Sequence, residues 1–408
     1  MGEALYIINP INTIHHNGDY HLIIAFADSK PHYELLDGLR GVAALLVLWY
    51  HINEGFGFAK SVNGVSDGLI ENFNHGYLAV DFFFILSGFV IGYAYDDRWQ
   101  RGFTLRQFFK RRLIRLHPMV LMGAVIGLVF FYLQGGVKWD GTHVALSLSM
   151  LSLLCAMFMI PAVPGCPYEI RGNGEMFPLN GPAWSLFFEY IGNILYALFI
   201  HRLPTKVLGA LALLLGGILV WFNVADVSGY GSFGVGWTLD TMNFWGGMLR
   251  MLFPYTMGMF LSRVFRPVKI RGAFWICSAV LLVLFAVPYI APSGSVCLNG
   301  LYESFCIVVV FPVLVWLGAS GTTTDFRSTG ICKFLGDISY PLYMVHYPVM
   351  YLFYSWLIEN KVYTFMDTWA ASIGAMVLSF VIAYVCLRWY DIPVRRALAR
   401  TLTLGKKK

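Results

Sequence analysis

Charge is what this sequence has least of. Of 408 residues only 13% are Asp, Glu, Lys or Arg, about half the share of a soluble domain. With 58% hydrophobic residues and a mean hydropathy of +0.63, this excludes an ordinary soluble globule and marks a polytopic membrane protein. Cysteine is sparse too. The seven cysteines show no metal-ligand spacing, and most sit in apolar runs where a thiol acts as a small hydrophobe. Cys166 and Cys297 fall in segments placed outside the membrane below, where a disulfide between them is open. The first thirty-odd residues lack a basic stretch followed directly by a long apolar core, so no secretory signal is expected in them. His15, His16 and His21 lie there, but too few further ligands join them for a metal site. The net charge of +6 is no nucleic-acid footprint, because Lys and Arg cluster in short loops between apolar runs.

What the sequence has in abundance is long apolar segments. They lie near 36–55, 77–95, 113–133, 144–163, 182–200, 207–224, 246–264, 272–290, 302–320, 339–358 and 369–387. Loop charge orients them. Arg98, Arg101, Arg106, Lys110, Arg111, Arg112 and Arg115 place the 96–115 loop in the cytoplasm. Arg263, Arg266, Lys269 and Arg271 mark a second inner loop, Arg327 and Lys333 a third, and Arg395, Arg396, Arg400 and Lys406–Lys408 an inner C-terminus. Segments 225–245 and 291–301 carry no Lys or Arg and belong outside. Both termini inside requires an even number of crossings, yet there are eleven runs. The Ser-rich 144–163 run, ending in PAVPGCP, is the one to remove, as a re-entrant or interfacial segment. The expected fold is an all-α membrane bundle of about ten transmembrane helices. An irregular leader (1–33) precedes the transmembrane domain (34–390), and a basic tail (391–408) follows it.

Within that bundle the stretch from Leu36 to His51, LDGLRGVAALLVLWYH, draws the eye. Arg40 and His51 are eleven positions apart, so on a helix they share a face about 16 Å apart. Polar groups in apolar spans are costly and are functional candidates by default. Two groups emerge. Asp81, Ser185, Glu189 and His346 join His51 in the middle and outer part, residue types suited to proton transfer. Arg112 and Arg115 join Arg40 toward the inside, and paired guanidiniums suit phosphate. Each residue also has a plain structural role open to it. The arginines suit anchorage on anionic membrane lipid, Glu189 helix–helix packing, His346 a neutral core position and Asp81 bracing of its turn.

Five blocks in order then carry a resemblance: LDGLRGVAALLVLWYH, GYLAVDFFFILSGFVIGY, RRLIRLHP, PAWSLFFEY and LGDISYPLYMVHYPV. Together they resemble the acyltransferase family 3 of integral membrane acyltransferases, from about Leu36 to the last helix. The resemblance implies transfer of an acyl group, usually acetyl, from cytoplasmic acyl-CoA to a glycan or other membrane-presented acceptor, lipid-linked ones included. It implies no bound cofactor beyond that donor. His51 matches the essential first-helix histidine, with Arg40 its Arg-x10-His partner. Arg112 and Arg115 match the Arg-x-x-Arg pair, Trp184, Ser185 and Glu189 the Trp-Ser-Leu-x-x-Glu block, and His346 the late-helix histidine. Ser87 and Tyr343 are supporting positions in the matched blocks. Ala79 departs from the frequent Gly, and a C-terminal soluble hydrolase-like domain, which some members carry, is not expected.

The scheme expected from both readings holds the acyl-CoA phosphates on Arg112 and Arg115, with Arg40 near. His51 acts as general base or as acyl-carrying nucleophile, oriented by Glu189 or Asp81. The 225–245 and 291–301 loops shape an outer vestibule. The competing class is a polytopic transporter or flippase, supported by Gly- and Pro-interrupted segments and intramembrane carboxylates. It lacks the internal repeat many secondary transporters show.

Overall fold

The computed structural model describes residues 33–65, 74–291, 297–322 and 326–404. The leader expected at 1–33, its three histidines included, therefore lies almost wholly outside the described residues. The helices are α1 (Glu34–Val62), α2 (Ala79–Gln100), α3 (Leu105–Leu133), α4 (Leu146–Met157), α5 (Ala183–Leu198), α6 (Thr205–Val224), α7 (Thr241–Val264), α8 (Ala273–Ala286), α9 (Leu298–Ser320), α10 (Phe326–Asn360), α11 (Phe365–Cys386) and α12 (Ile392–Leu404). The strands described are two residues each, Ile270–Arg271 paired in parallel with Gly321–Thr322.

Local chemistry sets several helix starts. Thr104 caps α3 in a reciprocal capping box with Gln107. Asp240 accepts from the Asn243 amide at the start of α7, and Thr364 does the same for α11. Such caps satisfy amides that would otherwise be orphaned.

Helices α1, α2 with its leading turn, α3, α6, α9 and α11 are long and apolar enough to cross a membrane. The protein is an integral membrane bundle. Helix α4 has 12 residues, about 18 Å, which is short of a hydrocarbon core of about 30 Å. The 144–163 run, expected as a re-entrant or interfacial segment, holds this short helix, one of two short apolar helices among the described residues, the other being the 14-residue α8.

The direction of packed helices bears on the same point. The most extensive contact is between α1 and α10, the next between α2 and α7. Both pairs run parallel. Gly38, Gly41 and Gly55 of α1 face Cys332, Leu335 and Tyr354 of α10 in rising order. Asp81 and Asp96 of α2 meet Arg250 and Arg263 of α7 in the same sense. If every other helix from α1 to α11 crosses and α4 does not, each pair has one direction; if α4 crossed too, both would be antiparallel. The backbones lie close. A methyl at Gly41 would strike the Leu335 carbonyl, and one at Gly88 the Tyr255 carbonyl. Only glycine permits such approach between transmembrane helices.

Between α4 and α5 the chain is irregular and folds onto the bundle. Asn180 donates to the Met344 carbonyl (2.9 Å), and the Gly181 amide donates to the Tyr351 hydroxyl (3.2 Å). Arg171 is buried there, its guanidinium 3.8 Å from the Tyr351 ring centroid. Glu175 of the same segment accepts from the Tyr351 hydroxyl, and burial pushes its carboxyl up to about 7. All seven cysteines are free thiols. The disulfide left open for Cys166 and Cys297 is not formed; Cys297 instead sits at the start of α9, where its sulfur accepts from the Gly300 amide.

Candidate functional site

The parallel packing of α1 on α10 builds the site in two layers. In the first, Arg40 of α1 donates from Nε to Ser339 (2.9 Å) and from Nη2 to the Gly336 carbonyl (3.2 Å), and pairs with Asp37 (2.9 Å). Arg112 of α3 lies in this layer. It donates to Glu189 of α5 at 2.6 Å, and Ser87 of α2 donates to the same carboxylate oxygen at 2.7 Å. The Arg112 Nε is buried without a partner. Arg115, one turn on, makes no ion pair among the described residues, though it is in electrostatic reach of Asp337 and Asp391. Tyr340 ties α10 to α3 through the Leu116 carbonyl (2.5 Å).

Three turns further along α1 is the second layer. His51 Nδ1 lies 2.5 Å from the Glu54 carboxylate. Its ring faces that of His346 on α10, with centroids 5.2 Å apart, and Tyr347 stands edge-on at 4.7 Å. His346 Nδ1 lies 3.0 Å from the Leu342 carbonyl, and its Nε2 is buried without a partner. Tyr343, whose ring is 5.9 Å from His346, hydrogen-bonds Ser185 at 2.7 Å. Glu54 also accepts from the hydroxyls of Tyr354 (2.9 Å), Tyr50 (3.4 Å) and Tyr347 (3.5 Å).

A third cluster lies between α2 and α7 and adjoins the second layer, where the Tyr77 ring meets that of Tyr50 with centroids 5.6 Å apart. Asp81 is wholly buried and forms a two-pronged pair with Arg250, 3.2 and 2.7 Å. Arg250 also donates to the carbonyls of Val235 (3.0 Å) and Tyr77 (3.1 Å), and Trp184 lies against it, 5.0 Å to the ring centroid. Glu303 of α9 accepts from the Phe233 amide. The 225–245 segment expected to shape a vestibule is thus pinned by its backbone onto buried charges. Residues 292–296 of the second such loop lie outside the described residues.

Most of the residues singled out from sequence meet as grouped, but not all. His51, His346, Tyr343 and Ser185 lie together, and Arg40, Arg112 and Arg115 form the other layer. Glu189 and Asp81, expected to orient the His51 imidazole, are elsewhere. Glu189 faces Arg112 and Ser87 one layer away, and Asp81 is consumed by Arg250, because a buried carboxylate must be paired. Trp184 packs on Arg250, away from the imidazoles. Two residues had escaped notice. Glu54 is three positions from His51, so the two share a helical face. Arg250 is a cation in the middle of the apolar 246–264 run, far from the Arg263 that marks its inner end, and this is itself a signal.

The family model for the acyltransferase domain matches residues 33–388. A protein described as protein 2 in the picA locus of Rhizobium radiobacter is 35% identical over 170 residues, 40% of this chain and 80% of that one. The acyltransferase MdmB of Streptomyces mycarofaciens is 27% identical over 365 residues, 85% of this chain and 86% of that protein. The peptidoglycan O-acetyltransferase OatA of Listeria monocytogenes is 26% identical over 389 residues, 90% of this chain but 56% of OatA. No solved structure matches the chain significantly. The matched span takes in both layers of the site and the buried pair, and the chain belongs to the acyltransferase family 3 of membrane proteins.

Proposed function

We propose that this acyltransferase moves an acyl group, acetyl the simplest, from acyl-CoA to a hydroxyl of a glycan or another membrane-presented acceptor. Membership of the family sets the transporter reading aside. The observation that carries the proposal is the pair of facing imidazoles on α1 and α10, three helical turns from a layer of arginines on α1 and α3 that α10 braces through Ser339.

On this reading the donor's phosphates bind at the arginine layer. Arg115 is the cation most available to them, while Arg112, with one nitrogen unpartnered, and Arg40 complete the layer. Bidentate guanidinium–phosphate contacts fix orientation as well as charge. The pantetheine arm extends along α1 and delivers the thioester to His51. There His51 accepts the proton of the acceptor hydroxyl, whose oxygen attacks the thioester carbonyl. The C–S bond breaks, an ester forms, and the imidazolium returns its proton to the departing thiolate. General-base help of this kind contributes about 10²–10⁴-fold.

The positive loops support a topology with the arginine layer and both termini on the cytoplasmic face of a bacterial cytoplasmic membrane, the relatives being bacterial proteins. The acceptor then arrives at the opposite end. The test is transfer of label from [14C]acetyl-CoA into polysaccharide and lipid of membrane vesicles containing the protein. Incorporation that depends on His51 is the expected result. Wild-type incorporation by His51→Ala would overturn the proposal.

A further inference from the structure

The two facing histidines are chemically unequal, and the difference lies in what holds each Nδ1. Beside His51 is a carboxylate. Glu54 reaches back one turn of α1 to Nδ1 at 2.5 Å, and a carboxylate can only accept there, so Nδ1 carries the hydrogen and Nε2 keeps its lone pair. Beside His346 is a carbonyl, that of Leu342 at 3.0 Å. It too can only accept, so His346 has the same tautomer, with a buried basic Nε2. A carbonyl offers an imidazolium a dipole; a carboxylate offers it a full counter-charge.

Glu54 is itself held. The Tyr354 hydroxyl lies 2.9 Å from one of its oxygens and 2.8 Å from the His51 carbonyl, so its single proton is shared between them. The hydroxyls of Tyr347 and Tyr50 approach the two carboxylate oxygens. Two of these tyrosines come from α10, so the carboxylate that holds the α1 histidine is located by the helix that brings the second histidine. Fixed donors around a carboxylate locate it.

We propose that Glu54 is the positioning residue for His51, held by Tyr354, Tyr347 and Tyr50, and that it divides the labour between the histidines. His51 takes the hydroxyl proton on Nε2 and becomes the imidazolium matched by Glu54. His346 stays neutral and offers Nε2 as a hydrogen-bond acceptor for the incoming hydroxyl. The inference rests on the reading of His51 as general base.

The experiment measures apparent Vmax and KM for acetyl-CoA in vesicles, together with thermal unfolding of each variant. Glu54→Gln lets an amide N–H face Nδ1, which favours the wrong tautomer; Vmax falls about 100-fold or more with KM and unfolding unchanged. Glu54→Asp, keeping the charge, recovers part of the loss, and Tyr354→Phe loses a smaller factor, again in Vmax alone. His346→Gln, whose amide oxygen can still accept, retains measurable transfer, whereas His51→Gln has none. The outcomes separate the two claims. Activity in His51→Ala would remove the general-base reading itself. An inactive His51→Ala with wild-type Vmax in Glu54→Gln would remove only the role of Glu54. If Glu54→Gln unfolds, Tyr354→Phe decides: an unchanged Vmax in a folded Tyr354→Phe overturns the proposal. A folded His346→Gln as inactive as His51→Gln overturns the division of roles.

Discussion

The Asp81–Arg250 cluster and the His51 centre are made from similar material, polar side chains on parallel helices in an apolar bundle, yet they are built to opposite ends. Around Arg250 the valences are spent. Its nitrogens reach both oxygens of Asp81 and two backbone carbonyls, and Trp184 covers its face. The pair is almost wholly buried, with side-chain exposures of 3% and 0%. Around His51 the polar groups are held on one side only. Glu54 fixes Nδ1, His346 presents an unpartnered nitrogen, and the side chains of His51 and Glu54 keep 13% and 20% exposure. A saturated cluster locks helices, whereas one with a free lone pair can exchange a proton. A charged residue in a transmembrane run therefore earns a functional reading from its unused valences, not from its presence.

The comparison can be broken at either end. The largest effect belongs to the open centre. His51→Ala should lower transfer by about 10²–10⁴-fold while its unfolding temperature stays within a degree or two of wild type, roughly what a change under 0.5 kcal/mol allows; matching losses of fold and activity would put His51 among the braces. Next comes the saturated pair. Asp81→Asn should cost about 3–5 kcal/mol, because it leaves the Arg250 charge buried and uncompensated, read as early thermal unfolding in detergent. The double variant Asp81→Leu with Arg250→Met should recover much of that loss. Inactivity of Asp81→Asn without loss of stability would move Asp81 into the chemistry.

Arg115→Ala tests the arginine layer. Acyl-CoA binding should weaken roughly tenfold, a loss of about 1.4 kcal/mol, with the unfolding temperature unchanged, whereas Arg112→Ala should lower both, since it also strips Glu189 of its partner. An unchanged dissociation constant in Arg115→Ala returns that residue to lipid anchorage. The smallest effect sits on the irregular segment above the bundle. The Glu175 carboxyl is raised by burial to about 7 in the folded protein, above an unfolded value of about 4.3. Its contribution to stability is therefore complete below the unfolded value and is lost as pH rises through about 7. The unfolding temperature of the wild type should fall between about pH 4 and 7 more steeply than that of Glu175→Gln, and level off above that; parallel curves would assign the pH dependence to another group.

Much of the fold was legible because composition and loop charge act along the chain. The membrane bundle is legible in the long apolar runs, and the brevity of α4 in the Ser-rich run and its Pro/Gly end. The layers of the site were legible from helical spacing, which placed Arg40 and His51 on one face. Partners across helices were not legible. Nothing in the run around Asp81 says that Arg250, 169 positions later, will face it. Glu189 was drawn to His51 for want of any knowledge of how α3 and α5 pack. Glu54 is a different case. Its three-residue spacing from His51 is legible in the sequence, but it belongs to none of the matched blocks.

The rigid seating of α1 on α10 through Gly41 has a further consequence. Arg40 and His51 ride on one unbroken rod, and Ser339 and His346 on its parallel neighbour. No side-chain movement shortens the interval between the charged layer and the imidazoles, about 16 Å. On the proposed reading the helix is a gauge: it selects donors by how far the thioester stands from the charged head, and rejects a shorter carrier by reach alone, without a pocket that inspects it.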